Sequence, residues 1–398
     1  MAGSGPVPVG EIFAIFLKLG LTSFGGPVAH LGYFRTAFVE RLRWIDERGY
    51  ADLVALCQFM PGPASSQVGL AIGLAKGGVP GAFAAWAGFT LPSAALLIAF
   101  AYGVTSLGDA MPAGLLQGLK VAAVAVVVQA VWGMARTLTP DAQRVSLAVI
   151  AAAIVLALPG PLAQIGAIVA GGLAGLALFD ADRAEDRPSL DIAVSRHLAL
   201  GCLAAFLALL VLLPVLASAV SSQWLAMFDS YFRAGSLVFG GGHVVLPLLQ
   251  AETVSAGWVS DDAFLAGYGA AQAVPGPLFT FAAYLGAVAT PSPNGLAGGL
   301  IALVAIFLPS YLLVFGLLPF WDSLRRRPNL RRALTGVNAA VVGLLLAALY
   351  DPIWTEGIRN AGDFVLGMAG FTALVFWKLP PWLVVLLSAL GGWAIALV

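Results

Sequence analysis

The sequence predicts an all-α polytopic membrane protein with an inverted-topology internal repeat and broken, re-entrant helices. Three observations carry this. Hydrophobic residues make up 60% of the chain and charged residues 10%, against about 25% charged in soluble domains. A set of landmark motifs returns in the same order about 215 residues later, which marks an internal duplication. The charge of matching loops reverses between the copies.

The landmarks run along the chain in order. Lys18-Leu-Gly20-Leu-Thr-Ser-Phe24-Gly25-Gly26-Pro27 returns as Arg233-Ala-Gly235-Ser-Leu-Val-Phe239-Gly240-Gly241-Gly242. Trp44-Ile45 with Gln58-Phe-Met-Pro61-Gly62-Pro63 returns as Trp258-Val259 with Gln272-Ala-Val-Pro275-Gly276-Pro277. Phe89-Thr-Leu-Pro92-Ser93 returns as Phe307-Leu-Pro309-Ser310, and Leu116-Gln-Gly118-Leu-Lys120 as Leu334-Thr-Gly336-Val-Asn338. A duplication of this kind in a membrane protein points to a transporter with its substrate site between the repeats.

Apolar stretches at 80–103, 114–135, 145–158, 161–179, 198–219, 296–320, 333–350, 363–377 and 381–398 are the candidate spans. A span needs about 20 residues, so the shortest cross with little tilt. The division is 1–180 for the first repeat, 181–197 for a cytoplasmic linker and 198–398 for the second, inverted repeat. Lys and Arg in short loops set orientation. The loop at 35–48 carries Arg35, Arg41, Arg43 and Arg48, whereas its counterpart at 250–262 carries Glu252, Asp261 and Asp262. The linker holds Arg183, Arg187 and Arg196, and the loop of Arg325, Arg326, Arg327, Arg331 and Arg332 belongs on the same side. Parity is satisfied if 11–34 and 224–249 enter, break at their glycines and return, and if the Pro-Gly-Pro segments form second re-entrant hairpins. A scheme of full spans with one helix added or lost satisfies it too. The N-terminus lacks a basic region before an apolar stretch, so no cleaved signal peptide is expected.

Gly-Gly-Pro and Pro-Gly-Pro cannot continue a regular helix. Each break is expected to start a new helix, after Pro27, Pro63, Gly242 and Pro277. Free N–H groups and the positive end of the helix dipole at such starts suit an anion, and broken backbone at membrane depth is tolerated only within protein or beside a cavity. The candidate site therefore gathers Gly25, Gly26, Pro61, Gly62, Pro63, Ser65, Ser66 and Gln67 with Gly240, Gly241, Gly242, Pro275, Gly276 and Pro277. The competing reading is a set of packing kinks.

Lys18, Lys120 and Arg233 lie inside apolar stretches, where a charge defaults to function. Snorkelling to the interface competes for Lys18 and Lys120. Arg233 has the planar fork that can hold two oxyanion oxygens. His243 can titrate or donate to an anion, or be a hydrogen-bonded core residue; His30 has the same two readings. Gln58 and Gln272 contact substrate or satisfy freed backbone. Trp44 and Trp258 mark the interface. Acids deep in the spans are nearly absent, which argues against a carboxylate proton relay or sodium site. Cys57 and Cys202 have neither disulfide-framework nor metal spacing. No cofactor or metal is expected, and a net charge of zero gives no support for nucleic-acid binding.

Phe-Gly-Gly-Pro behind a basic residue, Trp-Ile-Asp-Glu, Gln-Phe-Met-Pro-Gly-Pro, Phe-Gly-Gly-Gly-His and Gln-Ala-Val-Pro-Gly-Pro-Leu-Phe-Thr resemble the chromate ion transporter family in its long, two-domain form. The resemblance covers residues 11–398. It implies export of chromate, with sulfate a related oxyanion, and chromate resistance, in the plasma (inner) membrane of a bacterium. By motif it carries Lys18, Phe24, Gly25, Gly26, Pro27, Gln58, Pro61, Gly62, Pro63 and Gln67 in the first repeat. In the second it carries Arg233, Phe239 to Gly242, Gln272, Pro275, Gly276 and Pro277. The chain departs from the family pattern at Ala64-Ser65-Ser66-Gln67, where Asn-Ser-Thr-Gln is usual, and at Ala37, where an acid is expected. The expected partners are a chromate or sulfate-like oxyanion, the lipid bilayer and a second copy in a homodimer. An oxyanion channel or uptake transporter is the competing function. A membrane enzyme lacks any nucleophile–base set or metal cluster in the sequence.

Overall fold

The computed structural model describes residues 6–107, 112–158, 160–180, 192, 194–324 and 326–397. Most of the expected linker lies outside them, as do Gly108, Arg183, Arg187 and Arg325. The first repeat comprises α1 (Val9–Thr22), α2 (Gly26–Phe34), α3 (Glu47–Phe59), α4 (Ala64–Leu107), α5 (Ala113–Leu138), α6 (Ala142–Ala157) and α7 (Pro161–Leu178). Helix α8 (Arg196–Ala219) follows; nearly all of it falls within the 198–398 expected for the second repeat, but it has no counterpart among the described helices of the first. The second repeat comprises α9 (Gln223–Ser236), α10 (Val245–Thr253), α11 (Asp261–Ala273), α12 (Phe281–Val288), α13 (Gly295–Leu317) and α14 (Trp321–Leu324). It continues with α15 (Pro328–Ala348), α16 (Thr355–Gly357), α17 (Ala361–Val375) and α18 (Pro381–Ile395). Six helices among the described residues are long and apolar enough to cross a bilayer, and α6, α17 and α18 are shorter apolar helices. The protein is a multi-pass, all-α membrane protein.

Polar residues placed before the apolar runs start the helices. Asp46, Asp141, Ser195, Ser260 and Asn360 each accept the backbone N–H three residues on, the usual N-cap bond. The expected breaks are all present. Helix α1 stops at Thr22 and α2 restarts at Gly26; α3 stops at Phe59 and α4 restarts at Ala64. Helix α2 thus starts just before Pro27 rather than after it, and in the second repeat the restarts differ from expectation as well. Short 3₁₀ turns at Gly242–Val244 and Leu278–Thr280 precede α10 and α12, because the chain there first tightens into i→i+3 bonds. A further break was not anticipated: Gly77 and Gly78 are non-helical and divide α4 in two.

The broken segments fold back. Phe16 on α1 packs against both Phe34 and Phe38, with ring centroids 5.7 and 5.0 Å away, and a ring nitrogen of His30 lies 3.2 Å from the carbonyl of Ser23. Thus α2 returns along α1 rather than crossing. Trp44 is buried against Phe38 at 5.2 Å. This corrects the expectation of an interfacial ring: the π-helical turn Arg35–Arg41 turns the chain inward and Trp44 caps the aromatic stack.

Helices α5 and α15 are repeat counterparts and run antiparallel. Gly240 lies against Leu138 at the end of α5 and against Asn338 and Val341 midway along α15, while Gly357, beyond the end of α15, lies against Lys120 and Val124 in the first half of α5. Counterparts that run in opposite directions define an inverted repeat. The hairpins are exchanged between repeats as well. Gly336 of α15 packs on Gly171 and Gly175 of α7, and Gly118 of α5 packs on Ser388 and Gly392 of α18.

The two ends of the bundle differ in charge. One end gathers the turn at 35–46, Lys76, the end of α7 and the start of α15, tied by Val7 N–H to Lys76, Arg332 to the Phe179 carbonyl and Trp321 to Asp52. Arg35, Arg41, Arg43, Arg48, Arg136, Arg144, Arg326, Arg327, Arg331 and Arg332 all lie there: the arginine end. The other end gathers the starts of α5 and α11, the loop after α15 and the start of α13, tied by Lys120 and Arg359 to Asp262 and by Tyr102 to the Leu296 amide. Asp261, Asp262, Asp351 and Glu356 lie at this acidic end.

Candidate functional site

The Pro-Gly-Pro tips meet the Phe-Gly-Gly breaks of the opposite repeat. Gly62 N–H donates to the carbonyl of Val238 at 2.7 Å, and Gly276 N–H donates to the carbonyl of Ser23 at 2.9 Å. Both glycines have positive φ, +119° and +99°. A side chain on Gly62 would meet Ser310 Oγ at 2.9 Å, and one on Gly276 would meet Ser93 Oγ at the same distance. The recurring Pro-Ser of Pro92-Ser93 and Pro309-Ser310 thus forms the socket for the other repeat's tip. Pro61 and Pro277 offer their carbonyls to Gln67 Nε2 and Thr280 Oγ1, each at 2.7 Å, while Pro63 and Pro275 are buried beside them. The tip amides of Gly62 and Gly276 are therefore spent on joining the repeats.

The Phe-Gly-Gly breaks bear the open space. A cavity of about 560 Å³ runs from Gly25, Gly26, His243 and Gln272 along Gln129 of α5 to Tyr33, Lys378 and Trp382 at the arginine end. His243 Nδ1 is 2.9 Å from the Tyr268 hydroxyl. The donor Nε2 of Gln272 is buried and makes no well-formed hydrogen bond among the described residues, its side chain lying close to the Tyr268 hydroxyl, although a buried amide donor normally has a full partner. Near the same tips, Ser66 Oγ, Gln67 Oε1 and Ser310 Oγ are also buried and unpartnered. Ser65 is occupied by His30, 3.4 Å away. His30 itself is a buried residue bonded to Ser23 and Ser65.

The structure brings together Gly25, Gly26, His243 and Gln272 of the residues singled out in the sequence. Gly242 lies beside Pro27, so the two breaks touch, while Gly240 faces α5 and α15, and Met134 is the nearest neighbour of Gly241. Gln58 sits apart, in a shallow groove with Arg35, Glu47 and Tyr50. Lys18 lies on the exposed face of α1. Lys120 is buried at the acidic end, its Nζ 2.7 Å from Asp262. Arg233 bonds Glu252 at 2.7 Å and Asp229 at 3.2 Å. Asp229 and Glu252 are 5% and 7% exposed, so two acids that were not expected near the breaks are buried against Arg233. Asp229 was missed because it lies one helical turn before Arg233, in a stretch read for its glycines; the i,i+4 spacing was the available signal. Sequence reasoning also missed Gln129 and Lys378. Gln129 is a lone polar residue within Val126-Val-Val-Gln129-Ala-Val, and that isolation was its signal.

A second, smaller space occupies the equivalent position in the other repeat. It measures about 80 Å³ and is lined by Gln164, Pro247, Gln250, Leu344, Ala347, Ala348 and Asp351 at the acidic end. Leu344, Ala347 and Ala348 are the repeat counterparts of Val126, Gln129 and Ala130. Here the repeats are closed: Gln164 Nε2 donates to the carbonyl of Pro247 at 3.0 Å. Of this inverted pair of spaces, the one reaching the arginine end is large and the one at the acidic end is small.

Comparison with known proteins agrees with this architecture. The chromate transporter family model matches residues 10–176 and again 225–393, one match per repeat. The chain is 32% identical over 402 residues to a chromate transport protein of Pseudomonas aeruginosa, covering 98% of this chain and 93% of that one. It is 24% identical to a probable chromate transport protein of Synechococcus elongatus, covering 96% and 94%. An uncharacterized transporter of Bacillus subtilis, YwrA, is 30% identical over 171 residues, which is 42% of this chain and 93% of that one. A protein about one repeat long therefore stands beside the duplicated form. No solved structure matches the chain. With both repeats matched and the relationship to the Pseudomonas protein running through nearly the whole length, the chain belongs to the chromate transporter family.

Proposed function

We propose that this protein is a secondary transporter that exports chromate from the cytoplasm by alternating access, with sulfate as a related ion, and that it thereby confers chromate resistance. The observation that carries the reading is the cavity between the repeats, where the incompletely bonded Gln272 donor meets Gly25, Gly26, His243 and Gln129. A divalent oxyanion offers only acceptors, so amide donors and backbone N–H groups at a helix start suit it. Lys378 at the mouth attracts it electrostatically.

The arginine end fits the cytoplasm by the positive-inside rule, which places the open cavity there. The ion enters past Lys378 and exchanges water for the donors at the breaks. The first-repeat hairpins α1–α2 and α3–α4 then close onto α5 and α18, as α10 and α11 already close onto α15, α7 and α5. The Gln164–Pro247 contact parts and the smaller space opens. The small size of that space and the Gln164–Pro247 bond across it favour a carrier over a channel, because a channel needs a continuous path through both repeats. Chromate counterflow in vesicles of purified protein tests the reading: labelled chromate should accumulate against unlabelled chromate, and steady current without exchange would replace the carrier by a channel.

A further inference from the structure

The two inverted spaces are alike in position but opposite in charge. The larger carries one cation, Lys378, among its lining residues. The smaller carries one anion, Asp351. Neither charge has an equivalent in the other repeat. The counterpart of Asp351 is Gly133, and that of Lys378 falls in the uncharged Leu158-Pro159-Gly160 between α6 and α7. Both residues are exposed, so each is free to act on an ion in the adjoining space. Asp351 does not act alone: the carboxyl of nearby Asp261 is raised, first by burial and then by repulsion from Glu356, Asp351 and Asp262. The acidic mouth carries more carboxylates than cations, although Lys120 and Arg359 both bond Asp262 and Arg359 also bonds Glu356 within it.

We infer that this Lys378–Asp351 polarity makes the carrier kinetically asymmetric, with tight loading of the oxyanion at the Lys378 mouth and its expulsion at the Asp351 mouth. The inference rests on the transport reading above and adds two direction-setting residues to it. The charges do not alter the equilibrium, which follows the ion gradients. They alter the affinity of each face, and so the concentrations over which the carrier turns over. A dianion about 8 Å from one charge in a largely aqueous mouth feels an interaction of about 1 kcal/mol, worth about fivefold in affinity at low salt. Because the ion is divalent, the effect is about twice that on a monovalent anion and fades with salt.

The test is chromate counterflow measured separately in everted and right-side-out membrane vesicles, at low ionic strength, giving the half-saturating chromate concentration for each face. The wild type should saturate at lower chromate on the Lys378 face. Asp351→Asn should lower the value on the Asp351 face alone, by about twofold to fivefold. Asp351→Glu, which keeps the charge, should leave it in place. Lys378→Gln should raise the value on the Lys378 face alone. Wild-type counterflow with neither variant moving its own face, or with both faces moving equally, would overturn the inference while leaving the transport reading. Absence of wild-type counterflow would remove the transport reading and the inference with it.

Discussion

Gly62 of the first repeat donates its amide to Val238 of the second, at 2.7 Å, and the duplicated bond from Gly276 to Ser23 mirrors it at 2.9 Å. This pair of bonds pins the tip of each re-entrant hairpin to the broken helix of the other repeat. It assigns the two kinds of break to different tasks: Pro-Gly-Pro joins the repeats, and Phe-Gly-Gly opens the cavity.

Replacing Gly62 by alanine should disrupt that joint. The new methyl group would meet Gln67 Nε2 at 2.6 Å and Ser310 Oγ at 2.9 Å, at a φ that side chains rarely adopt. The expected cost is about 2–3 kcal/mol, read as a lower melting temperature in detergent and lost counterflow. Gly276→Ala should behave alike through Ser93. A melting temperature unchanged in both variants would contradict the joint.

Gln272 and Gln58 are repeat equivalents with different surroundings. Only Gln272 reaches the cavity. Gln272→Leu should weaken chromate binding about tenfold to a hundredfold, as expected for a lost donor to a charged acceptor, while Gln58→Leu should stay within about twofold. Calorimetry on purified protein measures both; equal losses would place the ion elsewhere.

These two comparisons show how far the sequence could be read. Motif recurrence and loop charge carried the duplication, the inversion and the four breaks, because glycine and proline act locally and arginine reports a side of the membrane. The division of labour between breaks was not legible, since it depends on which amides find a partner across the repeat interface. Nor was the fate of the buried cations. Lys120 and Arg233 were visible as charges in apolar sequence, but Asp262 lies 142 residues from Lys120, and only the fold brings them together. Gln58 and Gln272 hold equivalent places in the motifs, and only the fold shows that one lines the cavity and the other a groove elsewhere.

Arg233 gives a distinct outcome. Its guanidinium is shared by two buried carboxylates, so Arg233→Gln should destabilise the fold by about 3–5 kcal/mol by leaving them unpaired. Neutralising all three, with Asp229→Asn and Glu252→Gln added, should restore most of the melting temperature. If Arg233→Gln instead kept wild-type stability and lost chromate binding, the arginine would be a substrate ligand.

The Lys120–Asp262 pair should be silent across neutral pH. Burial alone would raise the Asp262 carboxyl, but hydrogen bonds and charge from Lys120 and Arg359 outweigh it and hold the group below its ordinary value. A depressed folded value means that the pair's stabilisation is fully present above the unfolded value of about 3.9 and is lost as pH falls through the folded one. Thermal melts from pH 8 to pH 5 should therefore show no step that Asp262→Asn removes. A step in that range abolished by Asp262→Asn would contradict the assignment.

The most direct measurement follows Ala130 and Ala348, repeat equivalents that line the larger and the smaller space. Ala130→Cys and Ala348→Cys are made separately in a protein lacking Cys57 and Cys202, and each is labelled with a small membrane-impermeant thiol reagent. In the structure Ala130 is half-buried and Ala348 is 3% exposed. Without chromate, the thiol at position 130 should react from the arginine end and the thiol at position 348 should not react. During chromate counterflow, labelling at position 130 should fall and labelling at position 348, from the acidic end, should rise. If position 348 stays unreactive while chromate is exchanged and position 130 is never protected, the ion does not pass between these repeats by alternating exposure of the two spaces.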